Sequence, residues 1–414
     1  LQKENYWEES LAGVNWDEVL KRYEPLVARL STRLEFTDLA WEVQGELGTS
    51  HAYEIGGDQR IAPKLSVGML GADFSRTPRG YKIEKIYCGD SWKESEFSSL
   101  TQAGTHFEVG DEIVAVNGRS LAEFSLGEAL FQLAGQDVEL AYYKKNSITL
   151  ADKRGQITLA DKRGSAKLKI EKSVVRTLRD ESSLRYRDWV NSKIEYVKNA
   201  SKAKLGYIHI PDMGADGFQE FHRHYLRDFD CEALIVDFRY NGGGHVSGLL
   251  IEKLARMRLG GGTSRHFGSY DYPDESPTGI MVGLTNEFAG SDGDMGPHQF
   301  KMKKLGPVVG MRSWGGVVGI WPRHRLVDGA VTTQPEFAHS FDDVGWGLEN
   351  HGVDPDVEVP FYPQHWRADA DPQLDKAIEL ALEKLKNEKP KRFQAPAIPD
   401  RSARSLPKIA KFKN

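Results

Sequence analysis

The 414-residue chain has only two cysteines. Cys88 and Cys231 are too few and too far apart for a disulfide framework. Both stand where strands are expected to start, so we expect buried small hydrophobes in a reducing compartment. No apolar run approaches the roughly eighteen residues that span a bilayer, and Leu1-Gln2-Lys3-Glu4-Asn5 offers no apolar signal core. A concentrated basic face is missing too: the formal net charge is −5, which gives no footprint for nucleic acid. There is no His-Glu-x-x-His and no cluster of Cys and His with ligand spacing, which argues against metal-dependent hydrolysis. The expectation is a cytoplasmic protein with no membrane, nucleic-acid or metal partner. The chain also lacks an initiator methionine, from which we expect a piece of a longer protein.

What is present is a 39% hydrophobic chain long enough for about two to four domains. Residues 1–60 read as a helical lead-in: Asn15 caps the run Trp16, Val19, Leu20, Tyr23, and Thr37 caps Leu39, Ala40, Val43, Leu47, ending at Gly48. Residues 61–147 are β-rich, with strands expected over 65–71, 81–87, 111–116 and 138–143 and a helix over 126–133. Val109-Gly110-Asp111-Glu112-Ile113-Val114-Ala115-Val116-Asn117-Gly118 is a strand closed by an Asn-Gly turn. It resembles a PDZ domain, which implies capture of an extended peptide by strand addition at a loop such as 70–74; a β-rich spacer without a groove is the plainer reading. In the 148–204 linker, Ile148-Thr149-Leu150-Ala151-Asp152-Lys153-Arg154-Gly155 recurs over 157–164, a duplication that lengthens a hairpin or linker. Residues 205–386 read as α/β, a mostly parallel sheet covered by helices, with buried strands at 205–211, 233–237, 280–284 and 308–310. Helices are expected over 246–257, closed by Gly260-Gly261-Gly262, and from Asp371-Pro372 onward. The basic 387–414 tail is expected to be disordered or to dock on a partner.

Four loops hold candidate chemistry. Ser291, in Ala289-Gly290-Ser291-Asp292-Gly293-Asp294, sits on a strand-to-helix turn whose backbone N–H groups lack intrahelical partners. Ser50-His51 follows a helix, Asn241-Gly242-Gly243-Gly244-His245 follows a buried strand, and Glu349 lies in a glycine-rich loop. Together they supply a nucleophile (Ser291), a base (His51), a carboxylate to polarise it (Glu349) and an oxyanion donor from the glycine run. Singly, each has an ordinary explanation: a turn serine, a capping histidine, a packing glycine, a solvated carboxylate. The glycine run lacks the following Lys-Ser/Thr of a nucleotide loop, and no cofactor is expected.

Thr49-Ser50-His51-Ala52-Tyr53, Val236-Asp237-Phe238-Arg239-Tyr240-Asn241-Gly242-Gly243-Gly244, Leu284-Thr285-Asn286-Glu287-Phe288-Ala289-Gly290-Ser291-Asp292, Arg312-Ser313-Trp314-Gly315-Gly316 and Gly347-Leu348-Glu349-Asn350-His351-Gly352 together resemble the tricorn protease family, in order, from about residue 6 to 385. The resemblance implies a serine peptidase with Ser291 as nucleophile, His51 as base, Ser50 as the hydroxyl orienting it, Glu349 accepting from Ser50, and an oxyanion hole from the Gly244 and Asp292 N–H groups. It also implies peptide substrates and a homo-oligomer, a hexamer in the family. The related C-terminal processing proteases use a Ser-Lys dyad, but Gly316 occupies the lysine position here. Two departures stand out. The β-propeller domains that precede this region in the family have no counterpart in these residues. The aspartate that the family uses for basic P1 side chains falls in Gly260-Gly261-Gly262-Thr263, with Asp271 and Asp274 as nearby stand-ins. Outside the peptidase reading stands a non-catalytic PDZ-type peptide-binding scaffold, which would need no buried polar tetrad. An ester hydrolase would keep the chemistry and change the substrate.

Overall fold

The computed structural model describes residues 1–59, 63–90, 97–145, 169–367 and 370–402, and the backbone of 148–151 and 157–160. It forms two compact units, one of Leu1–Arg60 with Ile194–Asn414 and one of Ile61–Lys193. The first unit is therefore discontinuous in sequence, and His51 and Ser291 belong to it together.

Its centre is a five-stranded, all-parallel sheet in strictly sequential order: Leu205–His209, Ala233–Asp237, Met281–Thr285, Val308–Gly310 and Val357–Glu358. The first four match the expected apolar runs; the two-residue fifth strand has no such run to announce it. Right-handed crossovers that always step in one direction put the intervening helices on one face. Accordingly Ala215–Asp228, Ser247–Leu254 and Asp292–Met302 pack there, with Phe221, Tyr225, Leu250 and Phe300 against Leu234 and Val236. The alternate side chains Ala233 and Ile235 point the other way, onto Val197 and the Leu374, Ala377 and Ala381 stripe of Pro372–Asn387. Each fully buried aromatic or aliphatic side chain in these two cores contributes about 1.5–3 kcal/mol.

The lead-in joins this unit through backbone pairing. Glu54–Ile55 pairs antiparallel with Val331–Thr332, and the Trp7 N–H donates to the Pro335 carbonyl at 2.8 Å. Arg33 adds a clamp, bound by Glu54 and Asp328 at 2.5 Å each. Asn15 caps Trp16–Val27 as expected. The second helix, Arg33–Gly45, is capped by Thr32 in a capping box with Glu35, not by Thr37. The Thr-x-x-Glu spacing was the stronger signal because it satisfies two orphan N–H groups at once.

In the second unit the Tyr81–Ile86, Glu112–Val116 and Asp137–Tyr143 strands and the Asn117-Gly118 turn form as expected. Ala72–Arg76, taken as part of a peptide-binding loop, is itself a strand paired with Tyr81–Ile86. Before it, Val67 and Met69 make only isolated bridges. The helix is limited to Leu126–Ala129. Glu171–Arg176, expected as linker, adds a strand beside Asp137–Tyr143. The tandem repeat gives one strand per copy, Ile148–Ala151 paired antiparallel with Ile157–Ala160. The remaining repeat residues, 152–156 and 161–164, lie outside the described residues.

Two further expectations are overturned. Cys88 is exposed and Cys231 only half-buried, because the first follows its strand and the second precedes one. The glycine run 260–262 does not end a helix: Gly260–Ser264 is a strand paired with Gly268–Tyr272. A Cβ at Gly261 would collide with the Phe393 ring. That ring arrives because the start of the tail docks on this chain, with Arg392 on Asp230 at 2.9 Å and the Phe393 N–H on Asp271 at 2.6 Å. Residues 403–414 lie outside the described residues. Among the described residues no helix is long and apolar enough to cross a membrane.

Candidate active site

The candidate residues gather where strands of the parallel sheet end, the edge at which α/β proteins place ligands. Ala233–Asp237 leads through Arg239 into the glycine run. Arg239 is 2% exposed and is held by Asp237 at 2.6 Å and Asp371 at 2.8 Å. The Tyr207 hydroxyl donates to Asp237 at 2.8 Å. This ion group fastens the strand end to the N-cap of Pro372–Asn387.

Beyond it Asn241, fully buried, organises the turn. Its Nδ2 donates to the Ile210 carbonyl at 2.8 Å and its Oδ1 accepts from the Gly243 N–H at 2.9 Å. The Gly242 N–H is taken by the Pro211 carbonyl, and the Gly243 carbonyl accepts from Met213. Gly244 has φ +150°, and a Cβ there would lie 2.1 Å from the Met213 backbone. Only glycine allows that approach. Among the described residues the Gly244 N–H donates to no protein acceptor, and neither does the Asp292 N–H.

Ser291 is the N-cap of Asp292–Met302, with φ +60° and ψ −125°, and its side chain makes no capping hydrogen bond. This strained conformation raises a hydroxyl off a strand-to-helix turn. Its Oγ would be 3.2 Å from a Cβ added at Gly243, so the Ser291 turn and the glycine run touch. The Asp292 carboxylate, by contrast, points to the preceding helix, Ser247–Leu254, and accepts from the Ser247 N–H at 2.9 Å.

His51 has φ +63°. Its carbonyl accepts from the Thr333 hydroxyl at 2.6 Å, and that same hydroxyl takes the Tyr53 N–H at 2.8 Å. The imidazole Nδ1 lies 2.8 Å from Ser50 Oγ. Its other neighbours are the rings of Tyr53 and Trp314, both with centroids at 5.6 Å. Trp314 also packs on Gly290, where a Cβ would sit 2.6 Å from the indole. It therefore spans from His51 to the turn that carries Ser291; His51 and Ser291 themselves share no hydrogen bond. Burial lowers the His51 pKa below its ordinary 6.5 while the Glu349 charge opposes the shift, leaving a neutral imidazole at pH 7.

Glu349 faces His51 with both oxygens filled. Oε1 accepts from the Thr49 hydroxyl at 3.0 Å and the Ser50 N–H at 2.6 Å. Oε2 accepts from the Val317 and Val318 N–H groups at 2.6 and 3.1 Å. The link expected from the Ser50 hydroxyl to Glu349 is not among these bonds. The carboxylate instead holds the Ser50 backbone and the loop behind Trp314. That loop is pinned from the other side by Asp294, whose Oδ1 accepts from the Gly315 N–H at 2.8 Å. Burial pushes the Asp294 carboxyl up to about 6.

Thr49, Asn241, Asp294, Trp314 and Thr333 were not singled out by sequence reasoning. An Asn before three glycines and a Trp inside a glycine loop were the only local signals; the others act through partners remote in the chain. Of the proposed P1 carboxylates, Asp271 is neutralised by Arg258 at 2.6 Å.

Three family matches tile the chain: Tricorn protease C1 domain over residues 1–45, Tricorn protease PDZ domain over 68–155 and Peptidase family S41 over 204–359. The tricorn protease homolog of Saccharolobus solfataricus is 45% identical over 387 residues, covering 93% of this chain and 34% of that protein. Tricorn protease homolog 1 of Streptomyces coelicolor is 42% identical over 93% of this chain and 34% of its own length. The crystal structure of the tricorn protease superposes with a TM-score of 0.83 at 38% identity, covering 94% of this chain and 36% of that one. The chain thus spans about a third of the length of these relatives. With its C1, PDZ and S41 segments in order, the chain belongs to the tricorn protease family.

Proposed function

We propose that the chain is a serine peptidase that hydrolyses short peptides through an acyl-enzyme on Ser291. One observation carries the reading: two unengaged backbone N–H groups, of Gly244 and Asp292, flank a strained, uncapped serine whose turn is joined by Trp314 to a neutral, Ser50-bound histidine. With Nδ1–H donating to Ser50 Oγ, His51 keeps its Nε2 lone pair for the Ser291 proton. Ser291 Oγ attacks the peptide carbonyl, and the oxygen that gains charge is met by the Gly244 and Asp292 N–H groups, the latter at the positive end of a helix dipole. His51 returns the proton to the departing amine, and water then repeats the sequence on the ester. Glu349 steadies the imidazolium by its charge and holds Ser50 through the backbone. A cytoplasmic location, a homo-oligomer and substrate capture by the PDZ segment belong to the same reading.

The test is hydrolysis of a panel of short fluorogenic peptides, beside fluorophosphonate labelling, with a Ser291→Ala control. Turnover and labelling that vanish together in the control are expected, a loss of at least about 10⁴-fold in kcat. Labelling that persists in Ser291→Ala, or its absence from the parent chain, overturns the assignment.

A further inference from the structure

Beside the proposed site stands an aromatic shelf that the chemistry does not use. Tyr240 and Phe288 stack with ring centroids 5.6 Å apart and planes 16° from parallel. The Trp366 ring lies 6.5 Å from Tyr240. All three face solvent: Phe288 is 64% exposed and Trp366 60%.

Two features show that the stack is built rather than left over. Tyr240 has φ +61°, a conformation rare for a bulky side chain and kept where the surroundings impose it. The surroundings here are one buried residue, Asn286, whose Oδ1 accepts from the Tyr240 N–H at 3.0 Å and from the Phe288 N–H at 3.3 Å. A single anchor thus presents both rings, and a strained backbone spent on an exposed ring has no return in core packing.

The shelf is also continuous with the site. Tyr240 directly precedes Asn241, and Phe288 lies three residues before Ser291. Three residues reach at most about 11 Å between Cα atoms. An extended peptide advances about 3.3 Å per residue, so the shelf lies within about four residues of a bond placed at Ser291.

We infer that Tyr240, Phe288 and Trp366 form a specificity subsite for an aromatic side chain of the peptide substrate, a few residues from the bond that is cut. This rests on the peptidase reading. Stacking geometry favours a flat ring over an aliphatic branch, and the three rings carry no formal charge to pair with an Asp.

The experiment uses the whole chain and peptides that differ only by Phe or Ala at one position, scanned from four residues before the cleaved bond to three after it. At one position Phe should raise kcat/KM about tenfold, through KM. That ratio should fall to near one in Phe288→Ala and recover in Phe288→Trp, the recovery showing that the fold is intact. If every Phe-preferring position keeps its ratio in Phe288→Ala, or none exists, the shelf is not a subsite. Anisotropy of fluorescein-labelled Phe and Ala peptides on Ser291→Ala, with and without Phe288→Ala, reads the same preference without turnover. Absence of Phe-dependent binding there overturns the shelf. Absence of turnover and of fluorophosphonate labelling in the parent overturns the peptidase reading instead.

Discussion

The Gly290 N–H donates to the Asn241 carbonyl at 3.0 Å, tying the turn that carries Ser291 to the loop that carries Gly244. The proposed nucleophile and oxyanion donors are thereby linked through one backbone hydrogen bond, and Asn241 is the joint. Asn241→Ala keeps the backbone bond to Gly290 but frees the Ile210 carbonyl and the Gly243 N–H inside the core. It should cost about 2–4 kcal/mol of stability and about 10²-fold in kcat with KM little changed. Urea unfolding beside steady-state kinetics checks both, and a variant that loses stability while keeping kcat would remove Asn241 from the positioning role.

The acid limb of the pH–rate profile should report His51. Because burial holds its pKa below 6.5, kcat/KM should stay high below pH 6.5 and fall only as the imidazole gains its proton. The two neighbours act in opposite directions. Trp314→Ala opens the ring to water and should move the limb up toward 6.5. Removing the Glu349 charge takes away the one influence that favours the imidazolium and should move the limb further down. Limbs that shift together in the two variants would contradict this account.

Glu349→Gln is not a conservative change here. All four hydrogen bonds at Glu349 come from donors, so a Gln NH₂ must face at least one pair of them. We expect about 2–4 kcal/mol of destabilisation and a loss in kcat smaller than that from His51→Ala. Thermal unfolding and initial rates measure the two effects.

Asp294 should make stability fall with rising pH. Its carboxyl is raised from 3.8 to about 6 by burial, so between these values the folded chain holds a proton that the unfolded chain has released. The contribution is fully present below pH 4 and lost as pH rises through 6, about 3 kcal/mol in all. Asp294→Asn keeps an acceptor for the Gly315 N–H and carries no charge, so its unfolding midpoint should change less between pH 4 and 7 than that of the parent. Equal slopes would exclude Asp294 as the source.

Arg239→Met should cost about 3–5 kcal/mol, because it leaves the Asp237 and Asp371 carboxylates buried without their cation. Asp371→Asn, which leaves Arg239 its Asp237 partner, should cost less. Denaturant midpoints of the two variants give the order directly.

The sequence by itself determined what is written in short-range pattern. Continuous apolar runs of about five residues announced the parallel strands; Asn15 and Asp371 announced two helix starts; glycines before Ser291 and after Asn241 announced turns of unusual conformation. The candidate residues were legible because their motifs are local, and the tricorn resemblance supplied roles that no single motif carries. Tertiary structure decided what those residues touch. Glu349 meets the Ser50 N–H 299 positions away, the Thr333 hydroxyl holds the His51 carbonyl 282 positions away, and Trp314 spans His51 and Gly290. None of these pairings leaves a period in the chain, because a hydrogen bond between remote loops depends only on where the sheet and the Glu54–Ile55 pairing bring them. The same holds for Gly260–Ser264, whose glycines look like a helix stop until Tyr270 and Phe393 pack over them.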